Sequence, residues 1–334
     1  MSTTHKRAAI ENPSPDESAQ REAPYVFRDL PRAGDVLRSP GHIRREVADF
    51  KVEEELPFSP TDDGEHLLLC VRRSNLTTPE VQSRLAREFH LKSKEVGYIG
   101  LKDKRSVATQ WFSVPVPAET RLPHVPDVKI LKQRRHHRKL RASDGCQNWF
   151  EILIREVAPE TVEWRLMHSV PNYFGQQRFG RDGRNVRNAM KWVGEGKPHI
   201  SPFLKSIYIS SLRSYVFNLV LASRVKRGDW CSRIDGDVVT SEEVPTGPLW
   251  GRGRSLTRGL AQTIEETTLN SVAPIKEALE WVGLKQERRS LVVTPIDLNC
   301  EIEQDTAKVR FALPSGSYAT SVLRECFDFQ DDRS

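Results

Sequence analysis

The chain has 334 residues, 37% of them hydrophobic and 29% charged, enough to bury a sizeable core as two domains or as one domain with an insertion. With 51 Lys+Arg against 45 Asp+Glu, the net charge of +6 is a modest excess, so local clusters of charge rather than the total point to a polyanion partner. Five scattered cysteines give neither a disulfide framework nor a zinc pair, and no apolar run reaches the roughly 18–20 residues of a membrane span or forms a signal core, so a soluble, reduced, cytoplasmic protein is expected.

Residues 1–24 are polar and are expected to be a disordered tail. The folded part opens at 40–44, and residues 49–54 then alternate apolar and charged side chains, as a half-exposed strand does. A turn signal at 61–64 leads into an apolar strand at 66–72, and the two strands are expected to pair as a hairpin. Thr77, Thr78, Pro79 and Glu80 start a helix: a hydroxyl cap, then a proline where its missing N–H costs nothing. Val81, Leu85 and Phe89 follow at spacing four and give that helix one packing face. An apolar run at 96–101 stops at Lys102, Asp103, Lys104 and Arg105, and a second strand-like run covers 110–116. The pattern reads as strand, charged loop, strand, a place where rigid elements hold a reactive group.

Residues 115–126 are proline-rich loop, and 128–131 form a short strand running into a charge cluster at 132–141. The clearest alternation in the chain is at 148–157, with Phe150, Ile152 and Ile154 on one face and Glu151 and Arg155 on the other. Residues 160–170 read as a helix, and composition then shifts to Gly, Arg and aromatics at 171–185, marking a domain boundary. Beyond it come a long helix at 206–225, a strand-like segment at 233–239, a loop at 243–259, a helix at 273–282, and strands at 291–293 and 306–313. Ser315, Gly316 and Ser317 cap a closing helix through 325. Without a repeat or a regular βαβ period, the fold class is α+β (mixed α/β), with a mostly antiparallel sheet flanked by helices.

Asp103 is the one acid among three cations, most simply a solvated ion-pair partner. If Lys102, Lys104 and Arg105 lie near it in space, they lower its pKa and keep it ionised, and such a carboxylate can act as nucleophile or base. The run 132–141 holds six Lys/Arg and two His, a density that favours a polyanion over a merely solvated face. His136 and His137 lack further ligands at metal spacing, so no metal is expected. Residues 172–180 interleave aromatics, amides and Arg178 in a pattern that can stack bases or form a glycine-hinged core turn. Their glycines do not make a phosphate-cradling motif, and no nucleotide cofactor is expected. Asn148 and Phe150 face the same side of their strand, and core packing is the simplest role for the phenyl ring. These residues leave open a catalyst acting on RNA, a non-catalytic RNA-binding protein, and a metal-dependent RNA hydrolase, the last lacking paired acids at suitable spacing.

Together the segments DFKVEEELPF (49–58), GEHLLLCV (64–71), VGYIGLKDKRSVATQWFSV (96–114), HHRKLR (136–141), NWFEILIREV (148–157), VPNYFGQQRFGRDGRNV (170–186), IDGD (234–237) and LPSGSYATSVLRE (313–325) resemble the TruD family of tRNA pseudouridine synthases, in family order. The resemblance implies a catalytic pseudouridine-synthase domain at 25–168 and 298–334, interrupted by an inserted family-specific α/β domain at 169–297. It implies Asp103 as the catalytic aspartate, Phe150 beside the target base, and Asn148 orienting the aspartate or the uridine. Arg44 takes the place of a basic residue that is usually lysine, and Gln147 stands where glycine is common. The implied reaction turns uridine into pseudouridine, at position 13 of the tRNA D arm, with no cofactor, by a protein from which nothing demands a dimer. Lys102, Lys104, Arg134, Arg135, His136, Arg138, Lys139 and Arg178 are the expected RNA contacts.

Overall fold

The computed structural model describes residues 27–332; the expected disordered tail at 1–24 lies outside the described residues. The first half of the chain gives β1 (Ser39–Ile43), β2 (Phe50–Glu55), β3 (His66–Ser74), α1 (Thr78–Glu88), β4 (Gly97–Tyr98), β5 (Val107–Pro115), β6 (Val128–His136) and β7 (Gln147–Arg155). Then follow β8 (Val170–Pro171), α2 (Gln176–Phe179), α3 (Arg184–Gly194), α4 (Pro202–Arg227), β9 (Thr246–Leu249), α5 (Gly259–Asn270) and α6 (Ala273–Trp281). The chain closes with β10 (Glu287–Ser290), β11 (Val292–Val293), β12 (Ile296–Glu303), β13 (Thr306–Pro314), α7 (Ala319–Leu323) and β14 (Phe327–Asp331).

One large sheet runs in the order β12-β13-β7-β2-β5-β3-β6, with β1 joining β7 to β14 and β4 attached to β5. Its pairs are antiparallel except β2 with β5 and β1 with β14. Opposed residues share a face, so the register that sets Glu54 against Asn148, Val52 against Phe150 and Phe150 against Phe311 puts these side chains on one side. On β2 that side is buried while Lys51, Glu53 and Glu55 are exposed on the other, the alternation of a sheet with one solvated face. Two helices cover the buried side. Val81 and Leu85 of α1 pack with Leu69, Val71 and Phe112, and Val322 and Leu323 of α7 pack with Ile152, Val309 and Phe311.

Local chemistry starts α1 as the sequence indicates. Thr77 Oγ1 accepts from the Glu80 N–H at 3.3 Å while the Glu80 carboxylate accepts from the Thr77 N–H, a reciprocal cap. Ser201 caps α4, which ends at Gly228 in the left-handed conformation (φ 77°). A separate core forms around α4, where Tyr173, Phe179, Phe217, Leu221, Leu279 and Leu291 pack together with Phe27 and Leu30. Among the described residues no helix is long and apolar enough to cross a membrane.

Several elements differ from the sequence reading. The strands at 50–55 and 66–74 do not pair as a hairpin: β5 lies between them, and the ten-residue connection at 56–65 is long enough to cross it. The short strand at 128–131 instead continues through the basic cluster to His136, because β3 supplies ladder partners as far as that residue. The helix expected at 160–170 is two short 3-10 turns, Pro159–Thr161 and Trp164–Met167. Residues 233–239 make only one isolated bridge, Val239 with Pro245. Ser317 caps nothing, since α7 begins after Tyr318 without a side-chain cap.

The Ile234–Asp237 turn shows a structural use for acids. Arg224, buried on α4, donates to Asp237 at 2.9 Å and to Asp229 at 2.8 Å, and its last nitrogen meets the carbonyls of Asp229 and Ser232. Replacing Arg224 by leucine is expected to destabilise the fold by ~3–5 kcal/mol, because Asp237 is left as an uncompensated buried charge; urea unfolding of wild type and R224L measures it.

Candidate active site

Asp103 sits in the loop between β4 and β5, and its surroundings fix that loop atom by atom. Arg73, buried on β3, donates to the Asp103 carbonyl at 2.7 Å, and Ser106 Oγ donates to the same oxygen at 2.7 Å. The Lys102 N–H donates to Thr78 Oγ1 at 3.0 Å, Thr78 donates to Gln110 Oε1 at 3.0 Å, and Gln110 Nε2 donates to the Gly100 carbonyl at 2.6 Å. The first turn of α1 and the start of β5 thus hold the loop from both sides. Burial pushes the Arg73 guanidinium down to about 10, so it still carries its charge at neutral pH.

The carboxylate of Asp103 meets Arg44, whose Nη2 donates to Oδ2 at 2.8 Å. Arg44 is fully buried and stands at the end of β1 with φ 59°, a left-handed conformation uncommon for a side chain of this size. Its Nη1 donates to Asp331 Oδ2 on β14 at 2.7 Å, and its guanidinium carbon lies 3.7 Å from the centroid of the Phe50 ring. Gln177 Nε2, from α2, reaches Asp103 Oδ2 at 3.4 Å. The Asp103 side chain remains 31% exposed, so a substrate can approach it.

Phe150 follows through aromatic contact. Its ring is 6.0 Å from Phe50, edge-on, and 5.5 Å from Phe311, and it stays half-buried. Asp103, Arg44, Phe50 and Phe150 are therefore linked in one chain of contacts. Asn148 lies two residues along β7 on the same face, opposite Glu54. A cavity of about 1130 Å³ lies elsewhere: Glu53, Glu55, Trp111, Lys132 and Trp149 line it on the solvated side of the sheet, and none of Asp103, Arg44, Asn148 or Phe150 borders it. The ion-paired carboxylate is the better site candidate because reactive and orienting groups converge there.

The family model for tRNA pseudouridine synthase D (TruD) matches residues 34–197 and 240–326. A tRNA pseudouridine synthase D from Methylococcus capsulatus is 37% identical over 91% of this chain and 95% of its own length. Its counterpart from Nitrosococcus oceani is 34% identical over 95% and 96%. The chain belongs to the TruD family. A crystal structure assigned as TruD from Methanosarcina mazei, 21% identical, superposes with a TM-score of 0.63 over 88% of this chain and 95% of that one, which shows the same fold.

The cations that flank Asp103 in sequence have partners of their own. Lys102 Nζ pairs with the buried Glu54, and Lys104 is 3.9 Å from Glu80. Arg105 reaches the carbonyl of Arg45 at 2.8 Å. The cation on the Asp103 carboxylate comes from Arg44, 59 residues earlier in the chain. Most of the expected RNA contacts also have structural partners. Arg134 pairs with Asp62 at 2.9 Å, Arg135 donates to the Val116 carbonyl at 2.6 Å, and Arg138 pairs with Asp144 at 2.7 Å. His136 is buried with its ring stacked 4.6 Å from Phe58, which removes it from the surface. Lys139 donates to the Lys94 carbonyl. Arg178 bonds the Tyr318 hydroxyl at 3.0 Å and Ser210 at 2.9 Å, holding α2 against its neighbours.

Sequence reasoning missed Arg73 and Asp331. Arg73 follows another arginine at a strand end, and only the fold reveals which of the two turns inward. Asp331 belongs to a closing strand that the local pattern at 327–331 is too short to announce. Arg73→Met is expected to speed hydrogen exchange across 101–107 by roughly 10- to 100-fold, the equivalent of losing charge-assisted bonds to the Asp103 carbonyl. Unchanged exchange by mass spectrometry would remove Arg73 as the anchor of the loop.

Proposed function

We propose that the chain isomerises uridine to pseudouridine in tRNA, at uridine 13 of the D arm by its family resemblance, with the Asp103 carboxylate as the acting group. The observation that supports this reading is a part-exposed aspartate on an immobilised loop, paired with a buried guanidinium, in a member of the TruD family. The proposed catalytic unit is made of elements on both sides of the 169–297 segment, which the resemblance makes an inserted domain.

The reaction breaks the C1′–N1 glycosidic bond, turns the uracil, and joins C5 to C1′; the proton lost from C5 is matched by one gained at N1. Adding to the base, attacking the sugar and removing the C2′ proton are three routes open to a carboxylate, and each needs Asp103 ionised and close to the glycosidic bond. Arg44 faces that carboxylate and presents a fixed positive charge to it. A paired uridine must first leave its stack, at a cost of a few kcal/mol. Phe150, braced by Phe50 and Phe311 and only partly buried, offers a surface for the extruded base. Asn148 on the same strand face offers amide contacts to the uridine or the aspartate. Exposed Lys104, together with Arg134 and Arg138 whose carboxylate partners can be exchanged for phosphate, supplies the backbone contacts.

Asp103→Asn keeps the shape and removes the charge. It is expected to lower pseudouridine formation by at least roughly 10²-fold while tRNA binding persists, measured as release of tritium from C5-labelled uridine alongside a binding titration. Wild-type protein that binds tRNA yet forms no pseudouridine would instead make it a non-catalytic RNA-binding protein. With about 6 phosphate contacts, affinity should fall by roughly three decades between 50 and 200 mM salt; a flat response would remove the basic residues from the interface.

A further inference from the structure

The chain's last strand enters the site through one acid. β14 pairs in parallel with β1, placing Asp331 opposite Ile43, and the Asp332 N–H donates to the Ile43 carbonyl at 3.1 Å. Arg44 is the next residue after Ile43, so the sheet ladder itself sets Asp331 beside it. The arginine fork is then divided: Nη1 on Asp331 at 2.7 Å, Nη2 on Asp103 at 2.8 Å, with the Phe50 ring 3.7 Å from its centre. A guanidinium held at one end by one carboxylate can still swing; held at both ends and against a ring, it cannot. The two acids also share the Arg44 cation, so Asp103 does not have the whole of its charge.

We infer that Asp331 is a positioning residue for Asp103, acting through Arg44, and that β14 is therefore part of the active site. This rests on the reading of Asp103 as the acting carboxylate. Other charged groups near Asp103 have contacts of their own: Arg73 with its carbonyl from β3, Lys102 with Glu54, Lys104 near Glu80, and Arg105 at the Arg45 carbonyl; Gln177 from α2 is neutral. Asp332, the neighbouring acid, faces another way, toward His42 at 3.2 Å and Arg45 at 3.7 Å, and so serves as a control.

Three variants of the full chain separate the possibilities, each checked for folding by thermal melting and assayed for kcat and KM across pH. Asp331→Ala removes the anchor, and kcat should fall by roughly tenfold or more, with KM within about twofold, because misplacement acts on the chemical step. Asp331→Asn keeps an acceptor oxygen and removes a negative charge. Asp103 is then easier to ionise, so the acid limb of its kcat profile should move to lower pH. Asp332→Asn should alter neither. Wild-type kcat with an unshifted acid limb in D331N overturns the inference, as does the same change in D332N; D331N retains a hydrogen-bonding partner and decides the matter even if D331A does not fold. Loss of activity in D103N with no effect in D331N would sink the role of Asp331 alone, whereas full activity in D103N would sink the functional reading beneath it.

Discussion

A buried arginine clasped between two carboxylates is the constraint on which this site depends. Moving a cation out of water costs several kcal/mol, and a left-handed backbone at a non-glycine residue adds on the order of 1–3 kcal/mol. Arg44 carries both burdens, with no exposed surface and φ 59°. Two charge-assisted hydrogen bonds at 2.7 and 2.8 Å and contact with the Phe50 ring offset them. Breaking either bond leaves the remaining groups poorly matched. The arrangement also explains why arginine can occupy a position where the family resemblance leads one to expect lysine: a compact ammonium meets one carboxylate well, but only a planar fork reaches two on opposite sides.

Much of the fold is legible locally. β2, β7 and β13 alternate at period two because one sheet face is buried and the other is wet; α1 announces itself through a hydroxyl cap and an apolar stripe, and α4 through its apolar stripe, though its Ser201 cap sets its start earlier than the stripe suggests. Pairing is less legible. The reading of residues 50–74 as a hairpin fails because nothing in either strand reveals that β5 will lie between them. Residues 160–170 fail for a different reason: apolar spacing there serves short 3-10 turns packed on the sheet rather than a continuous helix. In the site, Asp103, Asn148 and Phe150 are accessible from motifs, whereas Arg73 and Asp331 acquire meaning only once the strands are assembled.

Charge density along the chain is an unreliable map of charge on a surface. The run 132–141 looks like a free polycation, yet its first half is edge strand β6, His136 is buried under Phe58, and Arg135, Arg138 and Lys139 each have a protein acceptor. Lys102 shows the same economy beside the aspartate, where its ammonium neutralises buried Glu54 rather than Asp103. An exposed ion pair of the Arg134–Asp62 kind contributes little to stability and can be traded for phosphate, whereas a guanidinium capping carbonyls, as Arg135 does, is less readily released. The partners, not the density, decide which cations can meet RNA.

The residues that converge on Asp103 come from every part of the chain. Arg44 follows the first strand, Arg73 and the loop itself come next, Gln177 arrives from α2, and Asp331 ends the last strand. Such a site has no local precursor, because its central ion pair spans 59 residues and its second spans 287. The parallel pairing of β1 with β14 must form before Arg44 has both anchors, and long-range parallel pairing bears a large loop-closure entropy. The clasp makes formation of the charged centre depend on the closing strand, so Arg44 gains its second anchor only when the last strand is in place.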